Sequence, residues 1–447
     1  VRTFNPAGPL PDETELQMKV AIVGAGIAGL GCAHALAPHA QVTLFEASDR
    51  LGGHTNTVDV TLDGKTYPVD TGFLVYNERT YPNLIRLFAE LGIPTARSDM
   101  SFGVSVPLAG DPHGRRLEWA GSSLNTVFAQ RRNLASPRFL GMLRDILRFN
   151  REATALAEGR DRADDLALGE WLDRGGYGTA FRRWYLLPMA AAIWSCPMAT
   201  MLAYPAATFV RFCHNHGLLQ VANRPQWFTV AGGARQYVQR IVRTLTDVRA
   251  GTPVLGVTRG PGMGGVLVRT ARGVESFDHV VLACHSDQSL ALLSDADSAE
   301  HSVLTSVRYQ SNRAILHTDA QLMPRSRAVW SAWNYMSSGG DDPEVSVTYL
   351  LNKLQPLPFS TPALVSLNPL VEPRADTVMA SFDYAHPVFD EQAIAAQRRL
   401  PDLQGRRRVW LAGAWTGFGF HEDGLKSGLA VAEALKRLAR LPQPLAA

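Results

Sequence analysis

Val20 to Val23 is a short run of apolar and β-branched residues, the pattern of a strand buried on both faces. Three glycines and a helical pattern through Leu36 follow it, and Gln41 to Phe45 then reads as a second buried strand. The same order returns near the C-terminus, where the chain from Val409 reads as strand, aromatic-rich glycine loop and helix from about Asp423. Between them, residues 78–226 read mostly helical, with predicted helices over 81–91, 137–157, 166–174, 177–187 and 205–216. Residues 298–404 carry strand-like alternation at 312–317, 345–350 and 363–367, and Gly260 to Gly265 predicts a hairpin turn. No run approaches the roughly 18 apolar residues of a spanning helix. The longest candidate, Tyr185 to Trp194, is too short.

Composition narrows the class. With 46% hydrophobic and 19% charged residues, the 447-residue chain can bury a large core. A net charge of +3 is too balanced to argue for nucleic acid. Only five of the 44 basic residues are lysines (19, 65, 353, 426 and 436), which limits where a catalytic lysine can be. Cys32, Cys196, Cys213 and Cys284 are scattered, so neither a disulfide framework nor a metal site is expected, and a reducing cytoplasm is the simple location. Residues 1–17 are polar, lack a signal-like apolar stretch, and read as an extension or disordered tail ahead of Met18.

The candidate chemistry starts at Gly24-Ala-Gly26-Ile-Ala28-Gly29. The first glycine of such a G-x-G-x-x-G allows the tight turn, the second lets backbone approach a pyrophosphate, and the third lets helix pack on sheet. The helix N-terminus presents unpaired N–H groups to phosphate. Glu46 ends the second strand 20 residues after Gly26, where a carboxylate can accept from a ribose diol. Strand, glycine turn, helix, strand and acid in register predict dinucleotide binding.

Glu46-x-x-x-Arg50-x-Gly52-Gly53-His54-Thr55 resembles the FAD-binding arm of the flavin amine oxidase and phytoene desaturase superfamily. The resemblance continues through Asp70-Thr71-Gly72-Phe73, Val230-Ala-Gly-Gly-Ala-Arg-Gln-Tyr-Val, Thr252-Pro253-Val254, the apolar strand after Asp278, and Gly413-Ala414 with Asp423-Gly424-Leu425-Lys-Ser427-Gly428. It implies an α/β FAD-binding Rossmann-type fold of two domains, with a mixed α+β substrate domain. The FAD-binding domain would be discontinuous, at 18–77, 228–297 and 405–447, and the substrate domain would comprise 78–227 and 298–404. Noncovalent FAD is the implied cofactor, since the C-terminal loop has no cysteine for attachment. In that family Val254 backbone holds the adenine, and a helix starting near Asp423 aims its N–H groups at the flavin.

Asp70-Thr-Gly-Phe-Leu-Val-Tyr-Asn, Ala192-Ile-Trp194-Ser, Tyr349-Leu-Leu-Asn-Lys-Leu-Gln and Gly417-Phe418-Gly-Phe420-His421-Glu422-Asp-Gly are similar to a bacterial branch linked to cyclopropane and furan fatty acid synthesis. That resemblance implies desaturation of a phospholipid acyl chain by hydride transfer to flavin N5. Flavin amine oxidases place a lysine near N5, whereas the comparable strand here offers Arg313, an unsuitable proton shuttle. His421 and Glu422 are the candidate acid/base pair, with His54 (where amine oxidases often have Arg) a third; Glu422 could alternatively cap the helix. Trp194, Arg313, Tyr349, Trp415, Phe418 and Phe420 are the candidate substrate-lining residues, although such aromatics also serve as ordinary core.

A membrane-derived substrate needs a docking surface. Within 131–151, Leu140, Leu143 and Leu147 fall at helical spacing beside Arg144, Arg148 and Arg151, a pattern that suits an anionic membrane face or a solvated helix packed on the core. The expected partner is therefore a hydrophobic small molecule or acyl lipid, with peripheral contact at the inner membrane face and no nucleic acid. Two alternatives stand beside the lipid oxidoreductase: an oxidase of small amines, and a lipid carrier that uses the fold without flavin chemistry.

Overall fold

The computed structural model describes residues 17–440 apart from 109–110, 112, 161–165, 195–197, 221–223, 261–263 and 341–343. The segment 1–16, Cys196, the tip of the 260–265 turn and the Trp194 side chain lie outside the described residues.

Five short strands form an all-parallel sheet in the order Asp247–Arg249, Gln41–Phe45, Lys19–Val23, His279–Leu282, Val409–Leu411. Its strands come from three separated stretches of sequence, and the central ones are apolar because helices or a second sheet cover both faces. On one face lie the helices Ile27–Leu36 and His421–Arg440. They approach closely because glycine replaces side chains at the contact: a Cβ on Gly428 would sit 2.1 Å from the Ala28 carbonyl oxygen, and one on Gly31 would meet Leu425 at 2.4 Å. The other face is covered by the antiparallel sheet Val254–Arg259, Val266–Thr270, Gly273–Phe277 and by the helix Glu391–Arg399.

The second large sheet has seven strands, in the order Val378–Val388, Arg308–His317, Leu364–Leu367, Val345–Leu350, Trp333–Ser337, Phe102–Pro107, Arg116–Ala120. All its pairings are antiparallel except that of Trp333–Ser337 with Phe102–Pro107. It shares the largest core with a helical layer that includes Pro137–Ala157, Thr179–Phe181, Leu187–Trp194 and Ala206–Asn215.

The helix predicted at 137–157 is observed with those bounds, started by Ser136, whose side chain accepts from the Phe139 N–H, and by Pro137. The helix predicted at 177–187 instead begins at Thr179, widens through a π-helical turn at Arg182–Leu186, and runs on to Trp194. The mostly helical expectation for 78–226 is corrected by three strands, Thr95–Ser98, Phe102–Pro107 and Arg116–Ala120. Both faces of Phe102–Pro107 and Arg116–Ala120 are largely covered, so neither shows the alternation by which a half-exposed strand announces itself.

Candidate active site and cofactor cleft

A cavity of about 740 Å³ opens at the carboxyl ends of the parallel strands and extends to the seven-stranded sheet. Its first end is built from backbone. Gly24 and Gly26 line it, and Gly24 holds φ +105°, a conformation costly for any side chain. A Cβ on Gly26 would meet nothing within 4 Å, whereas one on Gly29 would lie 1.9 Å from the Gly24 carbonyl oxygen. Gly26 therefore faces open space and Gly29 serves packing. No side chain caps the helix Ile27–Leu36, so its first N–H groups are left for a ligand. Ala28, Gly52, Gly53 and His54 line the same end.

Glu46 lines the cavity from the end of its strand, its carboxylate accepting from the Ala25 N–H at 2.8 Å and the Ser48 N–H at 3.0 Å. Thr252 and Val254 lie on the same side, with Gly413 and Ala414 opposite. Arg50 stands outside the lining; its guanidinium donates to the Gly53 and Thr55 carbonyls and so fixes the glycine loop. Thr71, Gly72 and Phe73 form the next part of the wall. Behind them Asp70 accepts from the Ala234 N–H and the Thr57 hydroxyl, and burial pushes its carboxyl up to about 7.

His421 joins the two ends. Its ring stacks on Phe73 with centroids 3.9 Å apart, and its Nε2 shares a 2.8 Å hydrogen bond with the Tyr237 hydroxyl, which is bonded in turn to Thr55. Beyond it the wall becomes apolar and aromatic: Met100, Ile193, Phe212, Leu218, Trp227, Trp333, Tyr349, Leu367 and Phe420. Trp333 and Tyr349 meet edge to face at 4.8 Å, and Phe212 stacks on Phe420 at 5.0 Å. Trp415 also lines the cavity, with its indole N–H committed to the Cys284 carbonyl.

Several expected site residues stand elsewhere. Glu422 faces away from the cavity: it accepts from the Asn83 and Leu84 N–H groups and the Asn83 amide, capping the helix Pro82–Glu90. This corrects both expectations for Glu422, as an acid/base group and as a cap on its own helix, which starts at His421. Arg313 projects from its strand to the surface and pairs with Glu372, outside the lining, because alternate residues of that strand face away from the core. Phe418 packs against Phe212 rather than on the cavity wall. The Asp423 carboxylate accepts from the Phe418 and Phe420 N–H groups, shaping the aromatic loop. Gly424, Leu425 and Ser427 also lie behind the wall: Gly424 and Leu425 pack against the first helix, and the Ser427 hydroxyl accepts from the Gly413 N–H at 2.9 Å.

Conversely, His216, His285, Tyr309, Trp333, Tyr384 and His386 line the cavity and were not singled out from sequence. The one sequence signal for His285 is its place three residues past the strand His279–Leu282; the others come from pairings remote in sequence. Burial holds the histidines neutral: His54 and His421 are lowered to about 3, and His216 and His386 to about 4.

The description flavin containing amine oxidoreductase belongs to a family profile that matches residues 27–349. The chain belongs to this family. It is accordingly a flavin-containing oxidoreductase, and its cofactor is FAD. The flavin-family fold is equally plain in solved structures: a putrescine oxidase with bound putrescine superimposes with TM-score 0.67 at 18% identity, over 95% of this chain and 100% of that one. A fatty acid isomerase from P. acnes gives TM-score 0.62 at 15% identity, over 94% and 98%. Carotenoid phi-ring synthase of Chlorobaculum tepidum is 30% identical over 145 residues, which is 31% of this chain and 22% of that protein. The chain thus matches about a fifth of that curated relative's length.

The first end of the cavity fits the family's cofactor. It has backbone where a diphosphate must approach closely, an acid at the strand end, and an open wall at Gly26 where a side chain would intrude.

Proposed function

We propose that this flavoprotein desaturates a phospholipid-bound fatty acyl chain. The observation that carries the proposal is the wall of the second end of the cavity, which among the described residues contains no Lys, Arg, Asp or Glu. Glu46, the one carboxylate of the lining among the described residues, lies at the other end and is already bonded to backbone. An alkylammonium held there would lose its hydration without a counter-charge, and so would a carboxylate drawn fully inside. An ester-linked acyl chain meets neither penalty, because its charged head stays outside.

In this proposal 18–77, 228–297 and 405–447 form the FAD-binding unit, and 78–227 with 298–404 form the substrate unit. Gly24, Gly26, Glu46, Gly53, Val254, Gly413 and Ala414 would hold FAD, which would supply a two-electron acceptor. The aromatic residues Trp333, Tyr349, Phe212 and Phe420 align two adjacent methylene carbons and exclude water, which is where binding energy serves such a reaction. In this reading His421, kept neutral by burial and hydrogen-bonded to Tyr237, takes the proton lost from the second carbon.

Peripheral membrane contact belongs to the same proposal. Leu140, Arg144, Leu147 and Arg151 share one face of the helix Pro137–Ala157, with Leu140 43% and Leu147 62% exposed. Leu124 and Leu134 are exposed nearby in sequence. Arg148 is different: it lies over the Tyr177 ring and donates to the Gly175 carbonyl. Among the described residues no helix is long and apolar enough to cross a membrane.

The test is incubation of the holoenzyme with phospholipid vesicles, followed by mass spectrometry of the acyl chains. Loss of two hydrogens from an ester-linked chain is expected. Turnover of putrescine or benzylamine with unchanged lipid would favour amine oxidation, and bound FAD without any turnover would favour a carrier.

A further inference from the structure

We propose that His54, His285 and His386 together provide the counter-charge for the FAD diphosphate, one of them taking up a proton from solvent when the cofactor binds.

The three imidazoles line the cavity from different elements, two of them beside residues that approach the glycine turn. His54 follows Gly53, on which a Cβ would lie 3.1 Å from the Gly26 Cα. His285 follows Cys284, beside Gly24, on which a Cβ would lie 3.5 Å from the Cys284 nitrogen. His386 comes from the strand Val378–Val388, and its ring centroid is 5.3 Å from that of His54. All three line the cavity, whose described lining holds no Lys or Arg. A diphosphate carries two negative charges, and a helix N-terminus offers only about half of one positive charge. The remaining compensation falls to Arg50, whose guanidinium is committed to the Gly53 and Thr55 carbonyls outside the lining, and to lining groups that can become cationic.

The cluster is poised to donate. The His54 Nε2 is buried and has no hydrogen-bond partner among the described residues. Asn312 fixes the tautomer of His386: its Nδ2 donates to the Gln310 carbonyl while its Oδ1 accepts from Asn368, so the same Nδ2 donates to the His386 Nδ1 at 2.9 Å. The ring proton of His386 therefore resides on Nε2.

Without a ligand, burial and then mutual repulsion keep the cluster neutral. His421 and Arg50 add to the repulsion on His54, while Asp287 favours the cationic form of His285. Tyr384 stacks on His54 and Tyr309 on His285, and the neighbouring Cys284 thiol is pushed up to about 11, so these three stay uncharged. Glu46, the other acidic neighbour, is bonded to its own loop. An arriving dianion reverses the balance and raises the imidazoles toward the neutral pH range.

The test uses the holoenzyme. Release of FAD, read by recovery of flavin fluorescence after dilution, is expected to quicken by up to about tenfold per pH unit between about pH 4 and neutral pH and to level off above it, the linkage of one proton. In H54Q the profile is expected to flatten, because glutamine donates a hydrogen bond but does not titrate, whereas H386Q is expected to keep the slope, because the His386 Nδ1 already accepts from Asn312 and that ring contributes a neutral Nε2–H donor. Nitrogen-15 histidine spectra of the wild-type holoenzyme at neutral pH are expected to contain a cluster imidazolium. A flat wild-type profile, an unchanged slope in the H54Q/H386Q double variant, or only neutral rings in the wild-type spectra would overturn the proposal. Should the variants fail to fold, the wild-type spectra decide. Absence of FAD from the purified protein, seen in the visible spectrum, would instead contradict the cofactor assignment.

Discussion

The two ends of the cavity are built by opposite means. The dinucleotide end relies on what side chains leave free: Gly26 opens to the cavity, Gly29 permits helix packing, and the first helix is uncapped. The apolar end relies on bulk, with Trp333, Tyr349, Phe212 and Phe420 drawn from two strands, a helix and a loop. A backbone-built site tolerates almost no added atom, whereas a wall of side chains can be reshaped. Cofactor choice is therefore fixed locally, and substrate choice is distributed.

The sharpest way to break the contrast is to add one methyl group on each side of the glycine turn. G29A places its Cβ against the Gly24 carbonyl and is expected to destabilise the fold by about 1–3 kcal/mol or more. G26A adds a Cβ that meets nothing within 4 Å and is expected to keep the melting temperature of the apoprotein while FAD occupancy falls at least about tenfold, through intrusion on the diphosphate. Calorimetry paired with the 450 nm band separates the two; equal loss of stability would erase the distinction.

A charge at the apolar end comes next. L367K is expected to lower turnover on phospholipid by about tenfold or more while the flavin spectrum is kept, because an ammonium there resists the acyl chain. It should also admit free fatty acids better than the wild type, and kinetics on both substrates will show whether charge selects the substrate.

The buried histidines give a pH prediction of intermediate size. His421 and His216 are lowered to about 3 and about 4 by burial, against 6.5 when unfolded. Between those values the unfolded chain binds more protons, so their contribution to stability is complete above about pH 6.5 and is lost on acidification toward pH 4. The melting temperature is expected to fall across that window, and less steeply in H216Q.

The smallest effect falls on a residue that belongs to neither end. E422Q weakens the cap on Pro82–Glu90 and is expected to cost about 1 kcal/mol, with turnover per bound flavin unchanged. A collapse of turnover at full flavin occupancy would return Glu422 to the chemistry.

The same contrast explains what could be read from the chain beforehand. Gly24-x-Gly26-x-x-Gly29 and Glu46 are close in sequence because turn, helix and strand lengths set their spacing, and they line or support the cavity together. The apolar end has no such spacing. Phe212 and Phe420 meet across more than 200 residues, and Trp333 reaches Tyr349 through a strand pairing that no local pattern announces. Glu422 was misread for the same reason: its partners Asn83 and Leu84 lie 339 and 338 residues away. His386 acquires its fixed tautomer only when Asn312, on the neighbouring strand, is in place.

The central claim is that an esterified acyl chain, rather than an amine, fills the apolar end. The most direct measurement is the anaerobic visible spectrum of the holoenzyme titrated with detergent-dispersed bacterial phospholipid, then separately with putrescine. Bleaching of the flavin by phospholipid and not by putrescine is the predicted result. Bleaching by the amine alone would contradict the account.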